Sequence, residues 1–273
     1  MKRTIMIVLA IAVALSMTAC SALDALLSVN VFAPFAGVSS GAIEKATPDE
    51  LVEMSGSESF YETLADDPEL KDSVLATIED AMDAEPASSA SYQELAVLAA
   101  NIELQTTPAG DLINNVGDLI GSLISGDTSS GGEEQDFGDM ITSLMPPEVV
   151  AEDGTVNQEA FIDMINALDA ANVYYEQLGL AIGDTGYAEG SDISAGDVAQ
   201  AALVSALVSG ITVPAGYEDT YPTTGDYLYA LLTDSSGAVP ESEMDMTALE
   251  SVYMTNLLAA AGLDTLFADD SGV

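Results

Sequence analysis

Asp67-Pro68-Glu69-Leu70-Lys71-Asp72-Ser73-Val74-Leu75-Ala76-Thr77-Ile78-Glu79-Asp80-Ala81-Met82-Asp83-Ala84 carries the signs of an amphipathic helix in one segment. Aspartate caps the first turn, and proline follows at the one helical position where its missing N–H is not needed. Leu70, Val74, Leu75, Ile78 and Met82 then recur at helical spacing and share one face, with acids on the other. Nothing in the segment alternates as a half-buried strand would.

The same grammar extends in both directions. Upstream, Thr47-Pro48-Asp49-Glu50 combines a cap, a proline and an acid at the third position. Downstream, Ser91-Tyr92-Gln93-Glu94 reads as a capping box before Leu95, Leu98, Ala99, Ile102 and Leu104. Thr107-Pro108 opens a segment carrying Leu112, Ile113, Val116, Leu119, Ile120 and Leu123. A Ser/Gly-rich break over 125–135 is expected to be a flexible loop. Beyond it Asp136–Leu144 reads as a short helix stopped by Pro146-Pro147. Thr155 to Gln158 is a box-like start for a long helix through Phe161, Ile165, Leu168, Tyr174 and Leu178. In that helix one of Tyr174 and Tyr175 is expected to pack and the other to show. Ser194 to Asp197 caps the next helix, and Thr223 to Asp226 precedes Tyr227–Leu232. A last helix is expected from Asp245 or Thr247 through Val252 and Leu258, with Leu263–Phe267 docking the end. Ile211-Thr212-Val213 is at most a brief extended piece. The expected fold is all-α, over a single domain at 47–273, either as an irregular helical bundle or as a solenoid-like array of helical hairpins. Paired helices with alanine-lined seams resemble tetratricopeptide-type repeats, although that family's regular period is absent.

Charge narrows the function. The chain has 273 residues, with 46 acids against 4 bases, no histidine and a net charge of −42. Such a surface repels phosphate backbones, so a nucleic-acid role is excluded. Without histidine the commonest neutral-pH base and metal ligand is missing. Apolar residues make up 48 % of the chain, too many for a disordered acidic tail. The composition resembles that of salt-adapted proteins, in which concentrated ions screen the repulsion.

Two of the four bases, Lys2 and Arg3, precede the apolar run Ile5–Leu15, which ends in Ser16-Met17-Thr18-Ala19-Cys20-Ser21. A short positive region before a run too short for a permanent span reads as an export signal over 1–19. Ala19 before the only cysteine resembles the bacterial lipobox, with Met17 where the family has leucine. The resemblance implies cleavage before Cys20 and acylation of its thiol and amine, an anchor of more than one chain. Ser21 at the next position resembles the sorting pattern for the outer membrane, facing the periplasm. Residues 20–46 would then be the lipidated lead-in, in which Ala22–Val31 reads as a short helix. A sole cysteine also excludes an intrachain disulfide and a cysteine metal site.

No catalytic set emerges. Asp66-Asp67, Glu79-Asp80 and Asp269-Asp270 read as solvated faces and caps, and no pair stands out as a glycosidase would need. Asp153-Gly154-Thr155 has the glycine of a calcium loop, but Val149, Ala151 and Ala160 stand at ligand positions. Turn and helix cap is the better reading. Lys71, flanked by Glu69 and Asp72, reads as a plain surface lysine. Neither a metal nor a cofactor is expected, and the chain is expected not to be an enzyme. The densest aromatic patch is Tyr217, Tyr221, Tyr227 and Tyr229, which with Tyr187 forms the candidate ligand or partner surface. The leading expectation is an envelope lipoprotein acting as an interaction or accessory component of a membrane complex. The alternative is a small-molecule-binding lipoprotein serving a solute uptake system.

Overall fold

Caps and prolines set the helix starts. The computed structural model describes residues 38–125, 144–151, 153–183, 186–209, 213–233, 239–240 and 250–262. The export signal, Cys20, the Ala22–Val31 helix, most of the 125–135 loop and of the 136–144 helix, Ile211-Thr212, Asp245, Thr247 and Leu263–Phe267 lie outside the described residues. In chain order the helices are α1 (Ser40–Ile43), α2 (Pro48–Met54), α3 (Glu58–Asp66), α4 (Pro68–Ala84), α5 (Ala90–Gln105), α6 (Ala109–Ser125), α7 (Gln158–Ile182), α8 (Ala195–Ser209), α9 (Thr224–Thr233) and α10 (Val252–Ala260). At α2 the box is complete: Glu50 N–H donates to Thr47 Oγ1, and Thr47 N–H donates to Glu50 Oε2 at 2.8 Å. The bonds from Thr47 hold the Glu50 carboxyl below its ordinary range. Asp67 caps α4 by accepting from Leu70 N–H at 3.1 Å. Ser194 with Asp197 and Thr223 with Asp226 start α8 and α9 in the same way.

Two starts differ from the sequence expectation. The cap of α5 is Ser89, not Ser91, because Ser89 closes a turn onto Pro86 O and its hydroxyl already accepts from Tyr92 N–H. The cap of α7 is Asn157, not Thr155, because Thr155 is consumed by the preceding turn. Its N–H donates to Asp153 Oδ1 at 2.9 Å and its carbonyl accepts from Ala151, around Gly154 at φ +80°. The last described helix runs from Val252 behind an extended Ser251 cap.

Among the described residues the only extended pairing is the Val150–Val156 bridge, so the fold is all-α. Of the two arrangements expected, the helices form the bundle. A solenoid repeat touches only its neighbours, whereas α7 packs against α5, α6, α8, α9 and α10. Its 25 residues make a rod of about 37 Å. Phe161, Met164, Leu168, Ala171, Leu178 and Ile182 are all buried along it. Tyr174 and Tyr175 both pack, against expectation, because neighbours cover this helix on several sides. Val173 and Leu180 show instead.

Two neighbours approach α7 closely because a glycine stands at the crossing. A Cβ on Gly179 would lie 2.6 Å from the Tyr253 carbonyl oxygen of α10, and one on Gly225 of α9 would lie 2.9 Å from the Ile162 carbonyl oxygen. These contacts place α9 near the start of α7 and α10 near its end. Polar ties complete the frame. Gln200 of α8 donates to Tyr175 Oη at 2.8 Å and is 2.9 Å from Asn101 Oδ1 of α5, joining three helices at one side chain. Lys71 is not a plain surface lysine: it reaches from α4 to Glu103 of α5 at 2.6 Å, with both side chains largely buried. Beside it Tyr174 donates to Glu79 Oε1 at 2.8 Å.

Candidate functional site

The loop between α8 and α9 is shaped by its own backbone. Gly216 adopts φ +89°, a left-handed conformation that a side chain would strain, and its N–H donates to Glu218 Oε2 at 2.7 Å. Tyr217 N–H donates to Pro214 O, and Thr220 and Tyr221 N–H both donate back to Tyr217 O. That single helical turn puts Tyr217 and Tyr221 four residues apart on one side. Their rings are nearly parallel, 17° between planes, with centroids 6.4 Å apart. Tyr221 then meets Tyr227 of α9 edge-on at 5.6 Å.

Exposure falls steadily along this series. Tyr217 is 40 % exposed, Tyr221 is half-buried and Tyr227 is fully buried. Tyr227 is anchored below by its hydroxyl, which donates to Pro240 O at 2.7 Å. Three rings thus step from the core to the surface, and the outermost is fixed through the inner two. Glu218, Asp219 and Thr220 follow Tyr217 in the chain and are exposed.

The remaining tyrosines lie elsewhere. Tyr229 turns to the opposite contact, packing its ring 6.1 Å from Phe161 of α7. Tyr187 follows the far end of α7, where its hydroxyl donates to Ala260 O of α10 at 2.9 Å. Burial raises the Tyr187 phenol above its ordinary range, with Asp197 adding to the effect. The crossings at Gly225 and Gly179 are separated by about 26 Å along α7, the distance that seventeen residues cover. The five tyrosines therefore do not line one groove. Tyr217, Tyr221 and Tyr227 come together, Tyr229 supports α9 from inside, and Tyr187 fastens the other end of the bundle.

No protein-family model matches this chain, and neither a curated protein nor a solved structure is significantly similar to it. Among the described residues no group of three or more acids is arranged to hold a metal ion, and no helix is long and apolar enough to cross a membrane.

Sequence reasoning missed the Lys71–Glu103 and Tyr174–Glu79 pairs. No spacing rule links residues on different helices, but the scarcity of bases was a clue: in so acidic a chain every carboxylate near a lysine competes for it. It also missed the strap between α7 and α8. There Ala188 N–H donates to Gln93 Oε1 at 3.0 Å and Asp192 N–H to Glu94 Oε1 at 2.8 Å.

Proposed function

We propose that this chain is a lipid-anchored, non-enzymatic component of the bacterial cell envelope whose helical bundle docks another envelope protein. One observation carries the reading: Lys2-Arg3, the apolar run Ile5–Leu15, and Ala19-Cys20-Ser21 around the sole cysteine. Acylation at Cys20 would hold the domain at the outer membrane, facing the periplasm. The fold is compatible with such a tether. Val38 is fastened to α3, its N–H donating to Ser59 Oγ at 3.1 Å and its carbonyl accepting from Thr63 Oγ1 at 3.0 Å. The chain from Cys20 to that point reaches at most about 60 Å when fully extended. A tethered bundle with a fixed aromatic projection fits a docking role better than an enzymatic one. The runner-up is a small-molecule-binding lipoprotein serving an uptake system, favoured by the clustering of Tyr217, Tyr221 and Tyr227.

Crosslinking in intact cells, followed by purification and mass spectrometry, tests the proposal. The native chain is expected to sediment with membranes and to retain one envelope protein in fixed ratio, and the Cys20→Ser chain to lose the membrane association. A chain that purifies without a protein partner but with a bound small molecule would contradict the docking role and favour small-molecule binding.

A further inference from the structure

We propose that the Tyr217–Tyr221 face is the docking point for an arginine-bearing segment of the partner protein. This rests on the partner-binding reading above and names the surface and the chemistry it takes. Three observations support it. First, Tyr217 presents an aromatic ring to solvent at the top of a series whose base is Tyr227, fully buried and hydrogen-bonded to Pro240 O. A ring fixed in this way loses little freedom on binding, which is the property of an interface anchor. Second, the face of such a ring attracts a cation, and arginine, planar and weakly hydrated, stacks on it better than lysine does. Third, charge complementarity selects the occupant. Glu218 and Asp219, both exposed, directly follow Tyr217 in the chain, and the whole protein has a net charge of −42.

The cation must come from outside. Beyond Lys2 and Arg3 the sequence has only Lys45 and Lys71. Lys71 is engaged with Glu103 on the α4–α5 side, and Lys45 follows α1, which packs on α3. An acidic partner would be repelled, and a neutral apolar one would gain nothing from the carboxylates. Glu218 is also preset, since its carboxylate is already held by Gly216 N–H and retains oxygen lone pairs for a guanidinium.

Calorimetric titration of the intact protein with an oligo-arginine peptide, and with oligo-lysine of equal length, tests this at low salt and at about 1 M NaCl, where long-range attraction is screened. Oligo-arginine is expected to keep measurable binding at high salt and oligo-lysine to lose it. Tyr217→Leu should weaken the high-salt arginine binding about tenfold while Tyr217→Phe, which keeps the π face, leaves it nearly unchanged. Glu218→Gln should weaken it less. Equal binding by Tyr217→Leu and the parent, or loss of all arginine binding at high salt, would overturn the proposal. The scaffold reading fails separately. If crosslinking captures no envelope protein while Tyr217-dependent arginine binding persists, that reading falls and this surface stands; if capture is undiminished in Tyr217→Leu, the surface falls and the scaffold stands.

Discussion

Gly179 has no side chain because α10 leaves no room for one. Gly179→Ala would place a methyl 2.6 Å from the Tyr253 carbonyl oxygen, a backbone atom that cannot swing aside. The expected cost is about 1–3 kcal/mol, read as a lower urea midpoint. Gly117, inside α6, is the internal control, since a Cβ there meets nothing within 4 Å. Gly117→Ala should stabilise by up to about 1 kcal/mol, because alanine gives the unfolded chain less freedom and suits a helix better. Equal effects at the two sites would show that close helix approach is not what selects glycine at position 179. Lys71 makes the second residue-scale case. Lys71→Met leaves the largely buried Glu103 without its cation, for a loss of about 2 kcal/mol, between surface and fully buried values. Glu103→Gln in the same chain should return part of it, which a double-mutant cycle measures.

At the scale of elements, α7 holds the bundle, and two tyrosines on it, with Tyr61 of α3, give the bundle a pH signature. Burial is the main reason that Tyr61, Tyr174 and Tyr175 ionise well above the ordinary 10.0, with Glu79 and Glu103 adding to the effect at Tyr174. A phenol whose folded pKa is raised contributes stability that is complete below pH 10 and lost as the pH climbs beyond it. Alkaline titration should therefore unfold the bundle above about pH 10, with part of the tyrosinate absorbance appearing together with the loss of helical circular dichroism. Smooth ionisation of every tyrosine near pH 10 with helicity intact would contradict the burial of these three. Elements were also what the sequence revealed best. Asp67-Pro68 and the Leu70–Met82 stripe mark α4 directly, and Thr47-Pro48 marks α2, because caps and periodicity act within a few residues. The starts of α5 and α7 were misplaced where two hydroxyl or amide residues competed and a preceding turn chose between them. The site was less legible. Tyr217, Tyr221 and Tyr227 lie close enough in sequence to be grouped, whereas separating them from Tyr187 required the packing of α9 and α10 on opposite ends of α7.

Across the whole molecule the dominant quantity is a charge of −42 with few cations to offset it. Most carboxylates face one another through water, so raising NaCl from about 0.1 M to 1 M shortens the screening length from about 10 Å to 3 Å and should raise the thermal midpoint. A midpoint that is flat or falls with salt would mean that the acids are already compensated. Among the described residues the helices bury an apolar core, and the tyrosine series reaches from that core to the surface. Both acquire a cellular role only if the domain is tethered where an envelope partner can meet it. Mass spectrometry of the N-terminal peptide, from protein made in its own cells, tests this most directly. The expected peptide begins at Cys20 and carries the mass of acyl chains. A peptide that retains residues 1–19, or one that includes an unmodified Cys20, would contradict the anchored role.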